Sequence, residues 1–430
     1  MSRPAQPGRR RGPARPPEPA RPPETVTIDR LGHSGDGVVD TPDGPLYVPF
    51  TLPGETVIAT RSGERGRLVE VVSPATDRVE PACPLFGRCG GCALQHLADE
   101  PYRAFKRNLV VEALADRGVE APVDPLVTIA PGTRRRATLA ARRQNGRVAL
   151  GWHAKGSHDV VPVDRCPVLV PEIESALPRL AALVSPLVSA GDGARVLVTA
   201  TAGGLDVRVD DVRRPSADQA GRLLEAALAA GLARLSVGDE VIVGARPATV
   251  PFGAIPVEPP PGGFLQATRP SEEAMARLVM DAIDGAKSVA DLFAGCGTFA
   301  LRIATKVRVH AVESEASSLA SLGRAIKGVP GLKPVTTEVR DLFRRPLMGK
   351  ELEKYDTVVF DPPRAGAKEQ AAALALSSVR RIVAISCNPA TLGRDLRLLV
   401  DAGYRIDRVV PIDQFLWSPH VEAVAILSHE

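Results

Sequence analysis

Several residues in this chain are spaced for chemistry. Cys387 ends an apolar run, Arg380-Arg381-Ile382-Val383-Ala384-Ile385-Ser386-Cys387, and Pro389 then blocks continuation of a strand. In an open α/β sheet, ligands bind in the crevice beyond the strands' carboxyl ends. A cysteine there is placed to act as a nucleophile, since its thiolate adds readily to electron-poor carbon. Upstream, Asp291-Leu292-Phe293-Ala294-Gly295-Cys296-Gly297-Thr298 reads as a strand entering a glycine turn and a helix. Such a turn lets a ligand approach the backbone at the helix N-terminus. Glu313, which closes the next strand, can accept hydrogen bonds from two ribose hydroxyls. Both features fit a nucleotide-like cofactor. Phe360-Asp361-Pro362-Pro363-Arg364 adds an acidic strand end stiffened by two prolines, and His420-Val421-Glu422 opens a last strand.

A second cluster lies far from these. Cys83, Cys89 and Cys92 form a C-x5-C-x2-C run with glycines at 90 and 91, and Cys166 sits in Asp164-Arg165-Cys166-Pro167. Four thiolates suit either zinc or an iron–sulfur cluster. The three-plus-one spacing is less typical of zinc, which is usually held by two tight pairs. The sixth cysteine, Cys296, reads as packing inside the glycine turn.

The elements that must position these groups follow from periodicity. Residues 1–23 hold eight prolines and six arginines and read as a disordered basic tail. Residues 24–76 alternate in short runs broken by glycine and Pro53-Gly54, which predicts a small β-barrel. Residues 77–262 read as a central α+β domain. It has a helix over 101–117, with Phe105, Leu109, Val110, Ala113 and Leu114 on one face. A hairpin is expected to turn at Asn145-Gly146. From Pro131 to His158 there are seven lysines and arginines and no acidic residue, a candidate phosphate footprint. Pro259-Pro260-Pro261-Gly262-Gly263 marks a boundary. Residues 263–430 alternate strand and helix, with strands predicted at 288–294, 308–313, 335–340, 355–361, 380–386, 406–411 and 421–427. This is a doubly wound, mostly parallel α/β sheet with both faces covered.

Bulk composition narrows the class. The net charge is +4, but residues 1–23 contribute +5 of it, so the rest of the chain is near neutral. Global charge therefore carries no message about nucleic acid, and only local patches can. No apolar run is long enough for a transmembrane helix, and the basic N-terminus lacks an apolar core of signal-peptide type. A cytoplasmic protein without membrane contact is expected, and a monomer. Six cysteines in 430 residues do not make a disulfide scaffold.

Taken together, the motifs resemble the RNA uracil-5-methyltransferases, in particular the 23S rRNA branch. The resemblance rests on Asp-Gly-x-Val, Tyr-Val-Pro-Phe and Leu-Pro-Gly-Glu in the barrel and on the cysteine quartet. It rests also on Gly263-Phe264-Leu265-Gln266, the DLFAGCG turn, DPPRAG, SCNPATLGRD and HVE, and it covers nearly the whole chain after residue 24. It implies a class I (Rossmann-like) methyltransferase domain at the C-terminus and an N-terminal TRAM barrel of the oligonucleotide-binding type. It implies that Cys83, Cys89, Cys92 and Cys166 hold a [4Fe–4S] cluster. Gln266, Phe293, Glu313 and Asp361 fall where the family contacts S-adenosyl-methionine, Cys387 takes the nucleophile's place and Glu422 the general base's. The implied reaction forms 5-methyluridine in structured RNA through a covalent cysteine–uracil C6 adduct. 23S rRNA is the expected substrate and tRNA the alternative. Thr268 and Thr298 depart from the family pattern, which often has asparagine. The residues alone leave two other classes open. One is a nicotinamide-dependent oxidoreductase, from the glycine turn and Glu313. The other is a non-catalytic RNA-binding protein.

Overall fold

A computed structural model describes residues 22–189 and 191–429. The basic tail expected over 1–23 falls almost wholly outside the described residues. The chain forms two compact units, divided after Val79.

In the first unit six strands form one sheet in the order 24–27, 56–62, 65–73, 44–48, 37–41, 30–31. Its two edge strands are separated in sequence by only Ile28 and Asp29, so the sheet has to curl until its edges approach, as in a barrel. Ile28, Leu46, Val48, Val57 and Ala59 fill the inside. Glu55 is buried there, bound by Arg78 Nε at 2.5 Å and by the Leu52 amide at 2.8 Å, and these donors pull its pKa below the ordinary value against the cost of burial.

The second unit holds two seven-stranded sheets. In the central one, Arg136–Gln144 and Arg147–His153 form a hairpin whose turn residues Asn145 and Gly146 both have positive φ, +49° and +79°. That is the two-residue turn the Asn-Gly pair predicts. Helices Leu177–Val184 and Ala217–Ala229 cover this sheet. The latter starts at a Ser216/Gln219 capping box.

The C-terminal sheet has strands Ser288–Leu292, Arg308–Glu313, Val335–Val339, Thr357–Phe360, Arg381–Ser386, Arg405–Ile412 and Glu422–Ser428. Numbered along the chain, their order across the sheet is 3-2-1-4-5-7-6. The first five are parallel, and the seventh runs antiparallel between the fifth and the sixth. Side chains alternate between two cores, as a period of two requires. Val289, Val309, Val359 and Val383 face one core with helices Arg269–Ala282 and Ala316–Lys327. Ala290, Val312, Val358 and Ile382 face the other with helices Asp99–Ala115 and Pro389–Asp401. All seven strands predicted from sequence are present, within two residues at most ends.

This topology sets the chemistry. Parallel strands one, two, four and five end on one edge, at Leu292, Glu313, Phe360 and Ser386. The seventh strand is reversed, so it begins on that edge, with Ala423 paired to Ser386 and Glu422 paired to Ile412.

Candidate active site

Beyond that edge lies a cavity of about 470 Å³. Gln266, Phe293, Glu313, Asp361, Cys387 and Glu422 all line it. Six residues spread over 157 positions of sequence meet because four sit at strand ends, one opens the reversed strand, and Gln266 arrives from the segment before helix Arg269–Ala282. Arg135 anchors that segment. Its backbone amide donates to the Ala267 carbonyl and its Nε to the Gln266 carbonyl, while its guanidinium pairs with buried Glu272. Thr268 caps the helix, accepting from the Ser271 amide at 3.2 Å, a role to which its hydroxyl is suited.

The carboxylates form a linked array. Gln266 Nε2 donates to Asp361 Oδ2 at 2.7 Å, and Gln414 Nε2 donates to both Gln266 Oε1 at 2.9 Å and Glu422 Oε2 at 2.8 Å. Glu422 is 2 % exposed. Burial pushes its pKa well above the ordinary value, the Asp361 charge adds to this, and the Gln414 donor works against it. Asp361 keeps part of its surface open, toward the cavity. Burial carries its pKa up to about 7, with Gln266 opposing. Cys387 is half-buried and its thiol is pushed up to about 11, first by burial and then by the charges of Glu422 and Asp361, while the Arg364 guanidinium pulls it down. Arg364 belongs to the same proline-stiffened loop as Asp361.

At the far side the glycine turn is built for close approach. Gly295 has φ +53° and Gly297 φ +93°, and a Cβ on Gly297 would meet Leu322 Cδ1 at 2.6 Å. Space next to Gly295 is open, so a ligand can reach its backbone. Phe293 itself has φ +60°, which is uncommon for a bulky residue, and its ring packs on Phe343 at 5.5 Å between centroids. Glu313 is pinned by the Gly295 amide at 3.0 Å and by the amides of Ser314 and Glu315 at 2.6 and 2.9 Å. A fixed carboxylate, a glycine turn and two aromatic rings around one cavity suit a nucleoside. Phe343 and its neighbour Asp341 lie on a loop that sequence gave no reason to single out.

The loop 413–421 feeds this pocket with Gln414 and Phe415 and leads into Glu422. It is tied to helix Asp99–Ala115. Lys106, fully buried, pairs with Asp413 Oδ1 at 2.8 Å and donates to the carbonyls of Phe415, Ser418 and His420. Tyr102 donates to Asp413 Oδ2 at 2.7 Å and accepts from the Trp417 amide at 2.8 Å. Neither residue was foreseen, yet the helical spacing carried the signal. Tyr102, Lys106, Leu109, Val110 and Leu114 fall on the buried stripe.

The four cysteines of the second cluster also meet. Cys83, Cys89, Cys92 and Cys166 line one cavity of about 300 Å³, together with Arg134, Phe415, Leu416, Ser418 and His420. All four are free thiols. Among the described residues no group of three or more His, Cys, Asp or Glu is placed to hold a metal ion. Burial and the neighbouring sulfurs push the thiols up, Cys92 to about 12 and Cys166 to about 11, while the Gln95 side chain works against this at Cys92, the Val168 and Leu169 amides at Cys166, and the Gly91 amide, 3.4 Å from Cys89 Sγ, at Cys89. Gly90 has no room for a side chain, because a Cβ would sit 2.8 Å from the His153 carbonyl oxygen.

The basic stretch is spent differently from the expectation. Arg143 donates to the carbonyls of Val188, Ser185 and Gly146, Arg135 is buried on Glu272, and Arg134 and Arg136 donate to the carbonyls of Arg136 and Gly262. Four of the seven cations thus serve the fold. Arg136 also lies 5.8 Å from the centre of the exposed Phe264 ring at the pocket wall.

A model of the tRNA (uracil-5-)-methyltransferase family matches residues 260–430. An uncharacterised RNA methyltransferase of Agrobacterium fabrum is 50% identical over 410 residues, covering 94% of this chain and 99% of its own length. The 23S rRNA (uracil(1939)-C(5))-methyltransferase RlmD of Vibrio vulnificus is 31% identical over 431 residues, covering 93% of this chain and 95% of its own. Among solved structures, the Pyrococcus abyssi tRNA (uracil-54, C5)-methyltransferase in complex with S-adenosyl-L-homocysteine shares the fold. Its TM-score is 0.71 at 24% identity, over 94% of this chain and 100% of that one. No helix among the described residues is long and apolar enough to cross a membrane. By descent and by fold, the chain belongs to the RNA uracil-5-methyltransferases, enzymes that use S-adenosyl-methionine as methyl donor.

Proposed function

We propose that this enzyme methylates C5 of a uridine in 23S rRNA by way of a covalent adduct at Cys387. The observation that carries the mechanism is the convergence of Cys387, Glu422 and Asp361 on one cavity whose other wall is the glycine turn and Glu313. Uracil C5 is a poor nucleophile. Addition of the Cys387 thiolate at C6 moves electron density to C5. S-adenosyl-methionine supplies an electrophilic methyl on its sulfonium, and Gln266, Phe293, Glu313 and Asp361 are the residues that would hold it. Once C5 is methylated, Glu422 takes the C5 proton. The C–H electron pair becomes the C5–C6 double bond, the C6–S bond breaks, and Cys387 leaves as thiolate. Arg364 favours the thiolate at both ends of the cycle. The target uridine must leave its stack to reach Cys387, and Phe264 at the pocket wall offers a ring for stacking.

The 23S rRNA assignment is supported by a relative of that stated activity aligned over 95% of its length, whereas the tRNA-acting structure is a likeness of fold. The barrel of the first unit fits a TRAM domain and would add RNA contacts. The four-cysteine cavity fits a [4Fe–4S] cluster, with Cys83, Cys89, Cys92 and Cys166 as ligands. Anaerobically purified protein tests both assignments. It should be brown and contain iron, and labelled donor with total RNA should leave 5-methyluridine in 23S rRNA. Colourless protein without iron would refute the cluster, and label confined to tRNA would refute the substrate.

A further inference from the structure

Gln414 touches the Glu422 carboxylate but has no chemistry of its own. Both hydrogens of its amide nitrogen are used, on Glu422 Oε2 at 2.8 Å and on Gln266 Oε1 at 2.9 Å. Its carbonyl oxygen accepts from Ser271 Oγ at 2.7 Å. The Thr268 carbonyl, 3.0 Å from Ser271 Oγ, is the longer of that hydroxyl's two acceptors; with the hydrogen on Gln414, Thr268 Oγ1, 2.7 Å from Ser271 Oγ, is the donor in their pair. Gln266 in turn gives its nitrogen to Asp361. Donors and acceptors therefore run one way, from Thr268 through Ser271 and Gln414 to the two carboxylates. Turning the Gln414 amide end for end would set its oxygen against two acceptor oxygens and leave the Ser271 hydroxyl to donate to the Thr268 carbonyl at 3.0 Å instead. Gln414, Ser271, Thr268 and Gln266 are all 3 % exposed or less, so water does not relieve such an error.

We infer that Gln414 is a positioning residue for proton removal, the second half of the reaction. It holds Glu422 by Oε2 and leaves Oε1 to take the proton from uracil C5. This inference rests on the reading of Cys387 as nucleophile and Glu422 as base. The network does not include Cys387, so attack at C6 does not pass through it, and it reaches the cofactor side only through Gln266, which keeps its own bond to Asp361. Only resolution of the methylated adduct needs Glu422 held in place.

The two halves separate experimentally. RNA carrying 5-fluorouridine has no removable C5 proton, so adduct formation on it reports attack and methylation alone. Gln414→Met keeps the volume and removes both polar atoms. It should lower turnover on ordinary RNA about ten- to a hundred-fold, with the apparent KM falling alongside kcat because the step after the adduct becomes limiting. On ordinary uridine RNA a denaturation-stable protein–RNA complex carrying the labelled methyl should accumulate. Adduct formation on 5-fluorouridine RNA should slow far less than turnover. Ser271→Ala should show the same split with smaller amplitude, which covers the case of a Gln414→Met protein that fails to fold. Adduct formation slowed in step with turnover, or no accumulation on ordinary RNA, would make Gln414 mere packing and overturn the inference. Wild type that traps no 5-fluorouridine RNA would instead remove the Cys387 reading and the inference with it.

Discussion

Cys387, the proposed nucleophile, rests as a thiol in the free enzyme. Burial and two carboxylates hold Cys387 up near 11, against one guanidinium. At neutral pH a thiol held that high is almost wholly protonated, which slows its oxidation. Asp361 bears a related cost. Its pKa in the folded state, about 7, lies above the ordinary 3.8. A carboxyl raised on folding contributes its full stability while protonated in both states, and loses it as pH climbs from the ordinary value through the folded one. Asp361 therefore weakens the fold progressively between about pH 4 and 7. Asp361→Asn keeps an oxygen to accept from Gln266 and removes the ionisation. Its melting temperature should exceed that of wild type at pH 7.5, and the gap should close as pH falls toward 4. Equal melting temperatures at pH 7.5 would contradict this assignment, and the variant should be inactive at both pH values.

The loop 413–421 is the element on which the site depends most, because it delivers Gln414 and Phe415 and sets the start of the strand bearing Glu422. It is short of regular structure and includes Trp417 at φ +58°, so it needs outside support. Lys106 and Tyr102 supply it from one side. From the other, the Ala93 and Leu94 amides, just after Cys92, donate to the Trp417 carbonyl at 2.8 and 3.0 Å. Phe415 lines both the catalytic cavity and the four-cysteine cavity, so one loop forms a wall of each. Lys106→Met would leave the Asp413 carboxylate buried without its cation and three carbonyls without their donor. Urea unfolding should register a loss of about 3–5 kcal/mol, the range for breaking one side of a buried pair. A loss of less than about 1 kcal/mol would mean that water or a neighbour replaces the ammonium.

At the scale of the molecule, what could be read from sequence divides along physical lines. The seven C-terminal strands were legible because apolar runs flanked by glycine and proline have few other solutions, and parallel pairing then forces their ends onto one edge. Cys387, Asp361 and Glu313 were legible for the same reason. Glu422 was not legible from its own surroundings, since an acidic residue at a strand start is usually solvated. It is buried because the last strand reverses, a property of the whole sheet. Lys106 was hidden because a charged residue within an apolar stripe looks like an interruption until its partner, 307 positions away, is known. Arg134, Arg135, Arg136 and Arg143 of the basic stretch reach backbone carbonyls, which carry no sequence signal. The quartet of cysteines was legible by spacing, although the cavity it shares with the catalytic loop was not. The central claim remains chemical, that Cys387 bonds to the uracil ring. Its most direct test mixes the protein, methyl donor and 5-fluorouridine RNA, and then resolves the products under denaturing conditions. A covalent complex should form with wild type and carry the donor's methyl, and should be absent with Cys387→Ala. No complex with wild type, or an undiminished one with Cys387→Ala, would contradict the account.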